Sequence, residues 1–113
     1  MNKIINSLKE FVNTKQFLRN DVSLNNLASM MNTNPKYLSG VIKQYQQKNF
    51  IDYVTDLRIN YIIEELKTNT TFRKYSIRAI AEEAGFNTSK SFSRAFYKRT
   101  GIYPSYYVKK LEE

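Results

Sequence analysis

Apolar residues return along this chain at intervals of three and four, with polar residues between them. Ile4, Leu8, Phe11 and Val12 mark one such stripe, and Phe50, Tyr53, Val54, Leu57, Tyr61 and Leu66 mark another. That spacing gathers side chains on one face of an α-helix, whereas the strict alternation of a half-buried strand is nowhere sustained. Only 3 glycines and 2 prolines interrupt the 113 residues. The pattern predicts an all-α chain of about seven helices with no sheet.

The interruptions fall where helices need ends. Ser23 stands as an N-cap before Leu24, Leu27, Ala28 and Met31, offering a side-chain oxygen to an orphan backbone N–H. Asn34-Pro35 opens the next helix, with proline at a position whose missing N–H costs nothing. Ser76 caps a helix over Ile77–Ala84, and Gly85 supplies the positive φ needed to leave it. Asn87 or Thr88 then caps a helix that runs to Thr100 and stops at Gly101. From Phe50 to about Lys67 there is no breaker, which predicts one helix of about 18 residues, or about 27 Å.

The chain repeats itself. Leu38-Ser39-Gly40-Val41-Ile42-Lys43 aligns with Phe92-Ser93-Arg94-Ala95-Phe96-Tyr97 at an offset of 54, which also carries Tyr53-Val54 onto Tyr107-Val108. Leu24-Asn25-Asn26-Leu27-Ala28 matches Ile77-Arg78-Ala79-Ile80-Ala81 at an offset of 53, so one residue is inserted in the second turn. Four blocks in order with one insertion argue for a duplicated unit. Each unit reads as a short helix, a tight turn and a second helix, with Ala28 or Ala81 where the two must approach. One domain over residues 1–113 is expected to divide into a first helix-turn-helix unit (1–49), a linker helix (50–67) and a second unit (68–113).

Charge narrows the function classes. Lys and Arg number 18 against 10 Asp and Glu, a net charge of +8. A surplus of that size, present in both halves, suits a polyanion such as nucleic acid. With no Cys and no His, disulfides, thiolate nucleophiles, imidazole bases and Cys/His zinc sites are excluded. The acidic pairs Glu64-Glu65, Glu82-Glu83 and Glu112-Glu113 are sequence neighbours, which a helix turns about 100° apart, so they do not converge on a substrate. No Gly-rich phosphate loop is present. An enzyme, a cofactor and a metal site are therefore not expected, and neither is a small-molecule ligand. No apolar run approaches the roughly 20 residues of a membrane span, which points to a cytoplasmic protein.

Three segments resemble a known family. Ile80-Ala81-Glu82-Glu83-Ala84-Gly85-Phe86, Ser91-Phe92-Ser93-Arg94-Ala95-Phe96 and Gly101-Ile102-Tyr103-Pro104-Ser105-Tyr106-Tyr107 are similar to the signature of AraC/XylS-type transcription regulators. Tyr53 through Arg58-Ile59 resembles that family's linker helix, and the likeness covers about residues 20–110. The resemblance implies sequence-specific binding of double-stranded DNA in transcription regulation, with the second helix of each unit in successive major grooves. Recognition helices read successive grooves when about 34 Å apart. It implies base contacts from Lys36, Ser39 and Gly40 in the first reading helix, and from Ser89, Lys90, Ser93 and Arg94 in the second. Lys43, Lys98 and Arg99 lie later on those helices, where phosphate is the expected ligand. RNA polymerase is an expected partner if the protein activates transcription. The composition favours the C-terminal domain of a longer regulator over a stand-alone one.

Several positions depart from the family pattern. Gly40 stands where many members have Arg, Gln47 replaces a helix-ending Gly, Tyr103 takes the place of a capping Thr, and Val108 that of an Arg. Lys109 and Lys110 are placed to supply the missing charge. Phe86, Phe92 and Phe96 are expected in the core, as are most of the tyrosines, Tyr53, Tyr61 and Tyr107 among them. Arg58 is expected to tie its helix to an acidic neighbour such as Asp52 or Glu65, with a phosphate clamp as the alternative. The competing reading is a basic helical adaptor that binds proteins without sequence-specific DNA binding.

Overall fold

The computed structural model describes residues 2–113. Among these there is no strand, and seven α-helices follow one another: α1 (Asn2–Asn13), α2 (Leu24–Met30), α3 (Pro35–Gln46), α4 (Phe50–Thr68), α5 (Ile77–Glu83), α6 (Ser89–Thr100) and α7 (Pro104–Leu111). Short 3₁₀ turns cover Gln16–Leu18 and Phe72–Lys74.

The ends of the helices repeat in chemical detail. Ser23 and Ser76 each accept a hydrogen bond from the backbone N–H three residues on, at Asn26 and Ala79, both at 3.0 Å. After α2 the chain turns through Asn32 at φ 57°, and after α5 through Gly85 at φ 87°. The next N–H bonds back to the close-approach alanine in both cases: Thr33 to the Ala28 carbonyl at 2.9 Å, and Phe86 to the Ala81 carbonyl at 3.0 Å. Asn34 then caps α3 by accepting from the Tyr37 N–H, and Thr88 caps α6 by accepting from the Ser91 N–H. The capping side chain follows Thr33 directly but is separated from Phe86 by Asn87, which is therefore the inserted residue. Asparagine tolerates the left-handed region better than most side chains, so Asn32 does there what Gly85 does in the second turn.

The chain forms two compact units, one through Leu57 and one from Arg58 to Glu113. In the first, α3 packs on α1 and α2, and Leu8, Phe11, Leu27, Ala28, Leu38 and Ile42 are almost completely buried. In the second, α6 packs on α5 and α7 around Ile59, Ile62, Leu66, Phe72, Ile80, Phe92 and Phe96. Phe86, Phe92, Phe96 and Tyr107 run as a chain of ring contacts, the first two tilted and the last edge-on, with centroids 5.5, 5.8 and 5.4 Å apart. Ala28 and Ala81 are 0% and 1% exposed, which leaves no room for a larger side chain between the paired helices.

The boundary between the units falls inside α4, and the repeat explains why. Residues 50–57 correspond to α7, residues 104–111, at the offset of 54 that carries Tyr53-Val54 onto Tyr107-Val108. Farther along α4, Ile59, Ile62 and Leu66 are buried in the second unit as Ile4, Leu8 and Phe11 are in the first. Each of these triplets is followed by a 3₁₀ turn with a buried phenylalanine, Phe17 or Phe72. The duplicated piece is thus a four-helix unit. The closing helix of the first copy and the opening helix of the second are continuous as α4.

Candidate nucleic-acid interface

α3 and α6 are both 12 residues long and carry no acidic side chain. Their exposed positions correspond one to one at the offset of 54. Lys36, Gly40 and Gln44 follow at intervals of four along α3, and Lys90, Arg94 and Lys98 occupy the equivalent places on α6. Residues four apart share a helix face, so each unit presents one continuous exposed row, and all six positions are exposed. Ser39 and its counterpart Ser93 are half-buried beside these rows, as is Ser89 at the start of α6, while Lys43 is exposed. The two rows differ in charge: one lysine on α3 against a lysine, an arginine and a second lysine on α6. Apolar Leu38, Val41 and Ile42 hold the opposite side of α3 in the core, and Phe92 and Phe96 do so for α6.

Arg99 stands apart from the α6 row. Its Nη2 donates to Oδ1 of Asn60 on α4 at 3.1 Å, which gives it a partner within its own unit. Arg58 carries its charge over the ring of Phe86, 5.6 Å from the centroid. Burial pushes its pKa below the ordinary arginine value. This ring contact is one that the sequence did not suggest for Arg58, and Asp56, also on α4, pairs with Lys48 at 2.7 Å.

One well-connected cation was not singled out by any motif. Arg73 donates through Nε to the Leu66 carbonyl at 2.6 Å and through Nη2 to the Lys67 carbonyl at 2.9 Å. Its Nη1 lies 3.5 Å from Glu112. It closes the last turn of α4, where carbonyls lack intrahelical partners, and it joins that turn to the end of the chain. A favourable signal existed only in its proximity to a helix C-terminus, where cations are stabilised.

The departures from the family pattern have local explanations. Gln47 adopts the left-handed conformation at φ 56° and donates its N–H to the Lys43 carbonyl at 2.8 Å, as Gly101 does at φ 82° to the Tyr97 carbonyl at 2.7 Å. Tyr103 makes no side-chain cap on α7; its ring packs on Tyr97 with centroids 4.6 Å apart. Val108 packs against the core of the second unit, so an apolar side chain suits that position. Lys110 pairs with Glu113 at 3.2 Å, and Lys109 is exposed. The expectation that most tyrosines are internal is corrected: Tyr53 is buried, Tyr61 and Tyr107 are half-buried, and Tyr37, Tyr45, Tyr75, Tyr97, Tyr103 and Tyr106 are exposed. Their stripes were read from α4 and α7, and the remaining six lie on outer faces or in turns.

Two short helices joined by a tight turn, built twice, match a family model described as a helix-turn-helix domain over residues 27–110. The chain belongs to the AraC/XylS-type family of helix-turn-helix DNA-binding domains. It is 38% identical over 82 residues to the transcriptional regulatory protein YesN of Bacillus subtilis, covering 72% of this chain and 22% of that one. It is 32% identical to the C-terminal domain of AraT, a response regulator from Geobacillus stearothermophilus, with a TM-score of 0.82 over 95% of this chain and 84% of that one. The DNA-binding domain of AdpA, solved in complex with a target DNA, superposes with a TM-score of 0.81 over 95% of this chain and 90% of that one. At 13% identity that likeness shows the fold alone. The chain spans between 11% and 34% of the length of these curated relatives. The family is one of transcription regulators rather than enzymes. Among the described residues no helix is long and apolar enough to cross a membrane.

Proposed function

We propose that this domain binds double-stranded DNA sequence-specifically, with α3 and α6 entering successive major grooves. The observation that carries the reading is the pair of matched, acid-free exposed rows, Lys36–Gly40–Gln44 and Lys90–Arg94–Lys98, on the second helices of the two units. Lys90 and Arg94 lie in the first two turns of α6, the part of a recognition helix that reaches base edges. With Ser89 and Ser93 they are the base-reading set of the second unit, and Lys36, Ser39 and Gly40 that of the first. Lys43 and Lys98, farther along, serve phosphates. Arg99 reaches a phosphate only by giving up Asn60, so its contribution is smaller. A cytoplasmic location and, for an activator, contact with RNA polymerase fit this reading. A place within a longer regulator fits the share of the relatives that the chain covers, and the AraT piece it resembles is that protein's C-terminal domain.

Selection of bound sequences from a random duplex library tests the proposal. It should return two short half-elements about one helical turn apart, bound by a monomer, because both units lie in one chain. Inserting about 5 base pairs between them turns one half-element to the opposite face and should collapse the affinity. Undiminished binding after the insertion would mean that the two units do not read the same duplex. Selection of no common sequence would favour the basic adaptor.

A further inference from the structure

Gly40 occupies the middle of α3, where glycine lowers helix stability relative to alanine because it loses more conformational freedom on folding. Glycine at such a place is ordinarily explained by a positive φ or by a neighbour too close to admit a Cβ. Neither holds here. Gly40 is not among the positive-φ glycines, and a Cβ built on it meets no heavy atom within 4 Å. Its missing side chain leaves a shallow surface groove lined by Asn34, Lys36, Tyr37, Gly40, Val41 and Gln44. At the matching position of the second unit Arg94 projects from the same face, so the two reading helices offer a dent and a projection at equivalent points.

We infer that the Gly40 groove is a thymine-reading subsite, in which the C5-methyl group of one base packs against the bared backbone of α3 between Tyr37 and Gln44. This rests on the reading of α3 as a major-groove helix. The occupant follows from chemistry. α3 bears Lys36 and Lys43 and no acid, which suits the edge of a polyanionic duplex. Asn34, Lys36 and Gln44 give the groove a polar side, and Val41 and Tyr37 beside the bare Gly40 give it an apolar one. The one apolar group that DNA displays in the major groove is the thymine methyl. A partly exposed methyl gains by leaving water for such a dent, and the gain disappears if a side chain fills it. Tyr37 and Gln44, absent from the motif-derived set, thereby become specificity residues of the first unit.

The test uses the selected duplex and a second set in which each thymine of the α3 half-element is replaced singly by deoxyuridine, which removes only the methyl. Wild-type protein should lose about three- to tenfold in affinity at one position, corresponding to a fraction of the discrimination of a full base contact. Gly40→Leu should bind the thymine duplex at least as weakly as wild type binds the deoxyuridine duplex, and should no longer distinguish the two. Arg94→Ala should keep the thymine preference while losing affinity through the other half-element. The inference is overturned if no deoxyuridine position in that half-element matters, if the half-element contains no thymine, or if Gly40→Leu still discriminates. Loss of the Arg94→Ala effect together with the absence of any selected sequence would instead remove the DNA-reading assignment, and this subsite with it. Circular dichroism of each variant separates these outcomes from unfolding.

Discussion

Gln47 and Gly101 hold the same left-handed backbone conformation at the ends of α3 and α6, at φ 56° and 82°, and each returns its N–H to the carbonyl four residues back. The geometry of the cap was thus kept when the residue was not. Glycine reaches this region at no steric cost, whereas a residue with a Cβ is strained there by roughly 1 kcal/mol.

Gln47→Gly should therefore stabilise the domain, by about 0.5–1 kcal/mol, with α3 otherwise unchanged. Gly101→Ala should destabilise it by a similar amount. Urea unfolding of the three proteins checks both signs; a Gln47→Gly variant less stable than wild type would mean that the Gln47 side chain, whose Nε2 donates to the Gln44 carbonyl at 2.9 Å, outweighs the strain.

Gly40→Ala should also raise stability, by roughly 0.5–1 kcal/mol, since it adds helix propensity in open space. If the melting temperature falls instead, the protein itself needs the glycine and the groove was not left for a ligand.

Arg73→Leu should lose about 1–3 kcal/mol by leaving two carbonyls at the end of α4 without their donor. The measurement is denaturant unfolding, paired with Arg78→Leu as a control: Arg78 is an exposed cation whose pairing with Glu82 at 3.5 Å is worth little. Equal losses would show that Arg73 does no more than a surface charge.

How much of this was legible in the sequence follows from the range of each interaction. Caps act over three residues, so Ser23, Asn34 and Ser76 could be placed from their neighbours alone, and Thr88 was one of two named options. The apolar period placed α1 and α4, but the stripe read for α4 passed over Ile59 and Ile62, which are completely buried in the second unit. Arg73 could not be read this way, because its acceptors belong to another element and its carboxylate partner lies at the far end of the chain. The Arg99–Asn60 and Arg58–Phe86 contacts were hidden likewise. The double role of α4 was masked by its continuity: with no breaker between residues 57 and 58, nothing local separates the closing helix of one unit from the opening helix of the next. For the candidate interface, the resemblance named Lys36, Gly40, Lys90 and Arg94, while Tyr37 and Gln44 emerged only once their side of α3 was seen to be open.

Binding to random duplex should depend steeply on salt. If about six phosphates are neutralised, the logarithm of the association constant should fall against that of salt concentration with a slope near −5. Lys43→Ala and Lys98→Ala should each reduce that slope by about one. A flat response would count against a phosphate-based footprint.

The central claim is that Lys90 and Arg94 on the exposed row of α6 read bases, and the ratio of specific to random duplex affinity for wild type and Arg94→Ala tests it most directly. A bidentate arginine contact to guanine contributes about 1–3 kcal/mol of discrimination. Arg94→Ala should thus lower the specific affinity by roughly tenfold or more and reduce the ratio by most of that factor, with Lys90→Ala in the same direction. Lys43→Ala and Lys98→Ala should leave the ratio nearly unchanged. If Arg94→Ala lowers both affinities by the same factor, Arg94 is a phosphate ligand and α6 does not read sequence through it.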